Sequence, residues 1–214
     1  DHGMQPGSAA IAGETAHKLS VLGLYPIEIR TVLVGTDGGP EAAARTARYA
    51  AIDQVAEALG ANAVLLGHTL NDQAETVLLG LARGSGPRSI AGMRSVTPAE
   101  GFDYLRPLLQ ITREQTEAAC AGAELVVWND PMNDDPDFAR VRARKSVLPV
   151  LEIELGPGVA AALGRTADMA REDADFLDAL CADIFKGIAK VGATSVELPV
   201  ELLVEQPPAI RNRL

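Results

Sequence analysis

With 214 residues and 47% hydrophobic content, the chain is long enough for one full domain and a smaller appendage. Only 4% of the residues are aromatic, so the core must be built mainly from Ala, Val, Leu and Ile. A net charge of −10 excludes a dedicated basic nucleic-acid module, though not a local basic patch, and two widely spaced cysteines, Cys120 and Cys181, exclude a disulfide framework. No apolar run approaches the ~20 residues needed to cross a bilayer. Together these features predict a reduced, cytoplasmic setting.

In chain order, Asp1-His2-Gly3-Met4 reads as the end of a strand entering a loop, which predicts a chain lacking its natural N-terminus and at least one strand. A helix is expected from Ser8, as N-cap, to about Leu22. The β-branched run Ile27–Val34 is expected to be a strand. Gly38-Gly39-Pro40 breaks the chain, and Pro40 with Glu41 opens a helix to about Leu59 whose small residues suit close packing on a sheet. Ala63–Leu66 is the next strand. A helix then runs from Asp72 to about Ala82 and stops at Arg83-Gly84-Ser85-Gly86-Pro87. Phe102–Leu109 is strand-like, and Thr112-Arg113-Glu114-Gln115 caps a helix to about Gly122. Leu125–Trp128 is strand-like, and Asn129–Asp137 is a polar loop. This alternation predicts an α/β fold with a parallel sheet covered on both faces. Beyond Trp128 the pattern turns helical, with one helix over Phe138–Leu155. A long amphipathic helix follows Gly156-Pro157-Gly158, with a stripe at Val159, Leu163, Ala170, Leu177, Leu180, Ile184 and Ile188. Gly192 and Pro199 close that section, and Ala209–Leu214 reads as the start of another helix.

The stretch GHTLNDQAET, Gly67–Thr76, concentrates the polar chemistry between an expected strand and an expected helix. Asp72 and Glu75 at i and i+3 share a helix face. Such a pair holds an ammonium group or a magnesium ion, or else forms a capping box at a helix start, and spacing alone leaves both readings open. His68 is a structural histidine or a site residue. Arg140, Arg142, Arg144 and Lys145 spread cations around a helix start, so at least one should turn inward or meet an anion, for which the arginine fork suits phosphate. Arg83 with Gly84-Ser85-Gly86 is a phosphate cradle or a plain turn. Glu41, Arg45 and Arg48 at i, i+4 and i+7 read as surface ion pairing.

Taken together these segments resemble the tRNA(Ile)-lysidine synthetases, of the N-type ATP pyrophosphatase (PP-loop) fold. Asp1-His2-Gly3, Glu41 through Tyr49, GHTLNDQAET, Arg83 through Met93, Arg106-Pro107-Leu108-Leu109, and Asp130-Pro131 with Phe138 through Pro149 match in order along nearly the whole chain. The resemblance implies a Rossmann-like, adenine nucleotide alpha hydrolase-like domain over residues 1–135. A helical linker or substrate-binding subdomain, cut short at its C-terminus, follows over 136–214. It implies an ATP-dependent ligase that adenylates the wobble cytidine of an isoleucine tRNA and displaces AMP with the ε-amino group of free L-lysine, with Mg2+ accompanying ATP. A homodimer is compatible with it. By resemblance, Asp72 and Glu75 hold the lysine amine or, at Asp72, Mg2+, and His68 shapes the floor. Arg140, Arg142 and Arg144 face ATP or tRNA phosphates, with Arg83 as a further phosphate contact, and Arg45 and Arg48 support the site or meet tRNA.

The sequence departs from the family pattern in three places. The Ser-Gly-Gly-x-Asp-Ser pyrophosphate loop is absent, its place lying before Asp1, so the chain as written is expected to lack ATP turnover. Asn71 stands where an acid is usual, and Val141 replaces an Asn between the arginines. Two other readings remain: another PP-loop enzyme, such as a tRNA thiolase or an amidating synthetase, and a nucleotide-binding module without turnover.

Overall fold

The computed structural model describes residues 1–3, 5–35 and 39–214, without the side chains of Pro40 and Glu41. The predicted break at Gly38 and the ion pairing of Glu41 lie outside the described residues. The chain forms two compact units, one of residues 1–65 with 96–105 and the other of 66–95 with 106–214.

The first unit begins with α1 (Ser8–Val21), whose N-cap is Gly7 in a left-handed conformation. Ser8 is thus the first helical residue and makes no capping bond, unlike the expectation. Helix α2 (Pro40–Ala58) carries proline in its first turn, as predicted. Strands β1 (Ala63–Leu65), β2 (Val96–Pro98) and β3 (Asp103–Leu105) form a sheet in the order β1-β3-β2. The β1–β3 pair is parallel, and β2–β3 is antiparallel because the two strands are joined by a tight connection. Small residues of α2, Ala43 and Ala56, are buried, and its Tyr49 meets Tyr104 of β3 edge-on at 5.2 Å. Tyr104 also stacks edge-on with Phe102 at 5.3 Å and donates its hydroxyl to Asp53.

The expected strand at Ile27–Val34 carries no regular secondary structure. Asp1 donates to Arg30 O and accepts from Val32 N, each at 2.8 Å, a parallel bridge one residue long. Propensity favours a strand here, but a ladder needs a partner strand.

In the second unit, α3 (Leu70–Arg83) is followed by α4 (Pro87–Ile90), α5 (Arg113–Gly122), a 3-10 turn (Pro131–Asp134), α6 (Ala139–Arg142), a π-helical turn (Ala143–Val147), α7 (Leu148–Glu154) and α8 (Val159–Ile188). A two-stranded hairpin, β4 (Lys190–Val191) and β5 (Val196–Glu197), precedes α9 (Val200–Val204) and α10 (Pro208–Arg211). Leu125–Trp128, expected to be a strand, is irregular, with Val126, Val127 and Trp128 exposed.

Helix α3 packs along α8 through small residues: Ala74 and Val77 on α3, and Gly164, Ala167 and Ala174 on α8, are buried. The predicted stripe flanks this contact: Val159, Leu163, Ala170, Leu177, Ile184 and Ile188 are half-buried, and Leu180 is exposed. Small side chains win because they let two helix axes approach closely. At Gly80 a Cβ would lie 2.1 Å from the Ser89 carbonyl of α4, so no larger residue fits. Helix α8 runs unbroken past Asp173, and Glu152 of α7 caps its start by accepting from Gly158 N at 2.6 Å and Ala160 N at 2.9 Å. The backbone N–H of Ala160 is the main cause holding the Glu152 carboxyl below its ordinary range.

The helix expected over Phe138–Leu155 is divided by the π-helical turn. Pro149 cannot donate to the carbonyl four residues back and its ring presses against it, so the helical ladder loosens just ahead of it. Among the described residues no single helix is long and apolar enough to cross a membrane.

Candidate active site

The start of α3 lies two residues earlier than the spacing predicted. Thr69 is the N-cap and Asp72 the N3 residue of a reciprocal capping box. Asp72 Oδ2 accepts from Thr69 N at 2.9 Å and from Thr69 Oγ1 at 2.8 Å. The Thr-x-x-Asp signal was present in the sequence, one turn ahead of the Asp72/Glu75 spacing that competed with it. Glu75 is therefore not a capping residue.

What Glu75 does is decided by the helix carrying the basic run. Its side chain is fully buried, and Arg144 grips it with both edges of the guanidinium: Nε to Oε1 at 2.6 Å and Nη2 to Oε2 at 3.1 Å. Arg144 Nη2 also lies 3.6 Å from Asp72 Oδ1. Arg140 approaches Glu75 Oε2 at 3.8 Å and donates to Thr76 Oγ1 at 3.2 Å, while Thr76 donates to Asp72 O at 2.8 Å. Two acids and two arginines thus form one network across α3 and the α6 region. Burial pushes the Glu75 carboxyl up, against the pull of Arg144, and the Glu75 hydrogen bond holds the Arg144 guanidinium up in turn.

The other cations divide differently. Arg142 is exposed and donates from Nη1 to the carbonyls of Pro136 at 2.6 Å and Asp137 at 2.8 Å, so it clasps its own loop. Lys145 pairs with Asp134. Arg83 is exposed in the last turn of α3, about 12 Å along the axis from Glu75. The residue after it, Gly84, is a left-handed C-cap, which is the plain-turn geometry. Arg45 and Arg48 belong to the first unit, where both approach the Tyr49 ring, at 4.9 and 6.0 Å. His68 is half-buried in the loop ahead of α3.

The structure adds α5, which sequence reasoning left out of the site. Asn71 Oδ1 accepts from Arg113 N at 2.8 Å, tying the start of α3 to the start of α5. Arg113 Nε in turn meets Glu117 Oε1 at 2.8 Å. A cavity of about 230 Å3 is lined by these residues together with Asp72, Arg144 and Cys120. A second cavity, of about 620 Å3, shares Asn71, Arg113, Glu117 and Arg144 with the first. Only the Arg-x-x-x-Glu spacing on α5 hinted at this, and it reads equally as surface pairing.

These side chains do not fit a resident magnesium ion. Glu75 is engaged by arginine, Asp72 is half engaged by its cap, and no three His, Cys, Asp or Glu side chains are grouped as ligands among the described residues. What the arrangement offers is a carboxylate oxygen outside the cap, Asp72 Oδ1, loosely paired with the fixed Arg144 guanidinium at the edge of a cavity.

A family model described as the PP-loop domain matches residues 1–151. The chain belongs to the PP-loop family. Over the whole of its length this PP-loop chain is 52% identical to the tRNA(Ile)-lysidine synthase of Leifsonia xyli subsp. xyli, covering 64% of that protein. It is 51% identical to the tRNA(Ile)-lysidine synthase of Streptomyces coelicolor, covering 60%. To that of Mycobacterium tuberculosis H37Rv it is 49% identical, covering 64%. The chain therefore spans a little under two thirds of the length of these curated relatives. A solved structure, the U34-tRNA thiolase NcsA from Methanococcus maripaludis, superposes with a TM-score of 0.62 over 80% of this chain and 60% of that one. At 18% identity this likeness concerns the fold, and it agrees with the α/β PP-loop architecture and helical C-terminal region expected from the sequence.

Proposed function

We propose that the protein bearing this PP-loop chain ligates free L-lysine to C2 of the wobble cytidine of an isoleucine tRNA, forming lysidine. The observation that carries this reading is 49–52% identity along the entire chain to curated tRNA(Ile)-lysidine synthases. The chain's two regions take the roles of a PP-loop domain over 1–135 and a helical substrate-binding region over 136–214.

In this reaction the cytidine carbonyl oxygen attacks the α-phosphorus of ATP, and pyrophosphate leaves. The lysine ε-nitrogen, having given up a proton from its ammonium form, then attacks C2, and the oxygen departs with AMP. Magnesium enters with ATP as part of the substrate. Two demands fall on the chain's own side chains: seating an ammonium group, and fixing cations where phosphate charge develops. Asp72 suits the first, because the cap engages only its Oδ2 and fixes its rotamer, leaving Oδ1 in no closer contact than the 3.6 Å approach of Arg144. Glu75 suits a holding role, because it is buried and its oxygens are gripped by Arg144. Arg144 and Arg140 suit the second demand, and His68 shapes the floor. Arg45, Arg48 and Arg83 are exposed and suit contact with tRNA phosphates, whereas Arg142, occupied by its loop, is left out.

The test is AMP release by the full-length gene product with ATP, isoleucine tRNA and lysine, each omitted in turn. Release is expected only with all three. Release indifferent to lysine would overturn the reading in favour of another PP-loop chemistry.

A further inference from the structure

Next to Asp72 on α3 stands Gln73, about 100° around the helix. Its side chain is buried, at 3% exposure. Its Oε1 accepts from Met93 N at 2.7 Å, and its Nε2 donates to Met93 O at 3.1 Å. One side-chain amide thereby pairs with both polar groups of a single backbone residue. Arg171 of α8 also donates through Nη2 to the same Met93 O at 2.9 Å and to Ala91 O at 2.6 Å. Between these two carbonyls sits Gly92 at φ +59°, where a Cβ would lie 2.7 Å from Gln73 Oε1. The loop is shaped to bring its backbone onto that amide.

The rest of the α3 contact surface explains why such a grip matters. Apart from Leu70, which sits against Gly164, and Val77, that surface is made of small residues, Ala74, Gly80, Gly164 and Ala167, which hold α3 against its neighbours but add little to fixing its rotation about its own axis. A rotation of about 15° would carry a group at the ~5 Å side-chain radius of a helix by more than 1 Å. That is enough to break the 2.6 Å contact between Glu75 and Arg144.

We propose that Gln73 is a positioning residue for the site: through Met93, held by Arg171, it sets the rotation of α3 at which Asp72 and Glu75 meet Arg144. Only an amide of this length supplies both donor and acceptor. Glutamate keeps the acceptor and loses the donor, and methionine fills the space with neither.

The experiment compares Gln73→Met, Gln73→Glu and a packing control, Ala174→Gly, in the full-length protein. Ala174 is fully buried on α8 and takes no part in the grip. Gln73→Met is expected to lower kcat for lysine-dependent AMP release at least tenfold per folded molecule, while KM for ATP moves less than threefold. Ala174→Gly should lose stability yet keep kcat within twofold. Gln73→Glu serves if the methionine variant does not fold, with the same expectation. Crystal structures of wild type and variant should show Arg144 released from Glu75 in the variant. A kcat within twofold of wild type, or an unmoved Arg144–Glu75 pair, overturns the proposal. The kinetic arm rests on the lysine-ligation reading and the crystallographic arm does not. Wild-type protein without lysine-dependent release therefore overturns that reading alone, and the variant structure still decides the grip.

Discussion

Arg144 grips Glu75 from 69 residues away, with contacts of 2.6 and 3.1 Å to the two carboxylate oxygens of a side chain that has no exposed surface. A buried pair of this kind adds little net stability over apolar residues of the same volume, but its rupture leaves an uncompensated charge. Arg144→Ala is therefore expected to cost about 3 kcal/mol, the low end of the range for such pairs because the arginine retains partial access to water. Replacing both partners, as Glu75→Leu with Arg144→Met, should recover most of that loss. Denaturant unfolding of both variants beside wild type decides it, and a single-variant cost below ~1 kcal/mol would mean the pair is solvated in solution.

Capping and site chemistry at α3 separate cleanly in mutants. Thr69→Ala removes the cap hydroxyl but keeps both acids, so a stability loss of about 1 kcal/mol is expected with activity retained in the folded fraction. Asp72→Asn still accepts from Thr69 N while losing the charge that would seat an ammonium group. Its stability loss should stay within ~1 kcal/mol, and its KM for lysine should rise at least tenfold. Steady-state kinetics at varied lysine, set beside thermal unfolding, tells the two variants apart.

Asn71 is the residue of the GHTLNDQAET stretch that departs from the resembled family, and its carbonyl oxygen serves the first turn of α5. Asn71→Ala should cost about 1 kcal/mol for the lost acceptor. Asn71→Asp keeps an acceptor and places negative charge at a helix N-terminus, so it should be neutral or stabilising by a few tenths of a kcal/mol. Melting temperatures of the two variants test this, and a destabilised Asp variant would show that charge repulsion from Asp72 outweighs the helix end.

Asp175 on α8 joins Arg94 and Arg88, and these guanidinium groups hold its carboxyl down to about 2. A depressed folded-state value contributes stability above the unfolded value, near 3.9, and loses it as pH falls toward 2. Wild type should therefore exceed Asp175→Asn at neutral pH, and the two stability curves should converge between about pH 4 and 2. High salt should shrink the neutral-pH difference, because the network is exposed. A difference constant from pH 7 to pH 2 would assign the effect to packing.

Much was decided locally and could be read from the residues in order. Proline in the first turn of α2, the Thr112–Gln115 box of α5 and the 3.6-residue period of α8 mark helices because caps and periodicity act within a few residues. The same locality placed Asp72 and Glu75 on one helix and the arginines on another. Local signals could not say which partner each would meet. Ile27–Val34 and Leu125–Trp128 have strand composition without a ladder, since pairing depends on a distant or adjoining strand. The stripe predicted on α8 is half-buried apart from Leu180, and the closest contact falls to Gly164, Ala167 and Ala174, because close helix approach selects size over hydrophobicity. Cations spaced two apart predicted that one would turn inward, but only tertiary packing chose Arg140 and Arg144 and sent Arg142 to its own loop. Burial then decided the split between the two acids. Glu75, with no water to solvate it, had to take a guanidinium at close range, and Asp72, which keeps partial access to water, holds the same guanidinium only loosely.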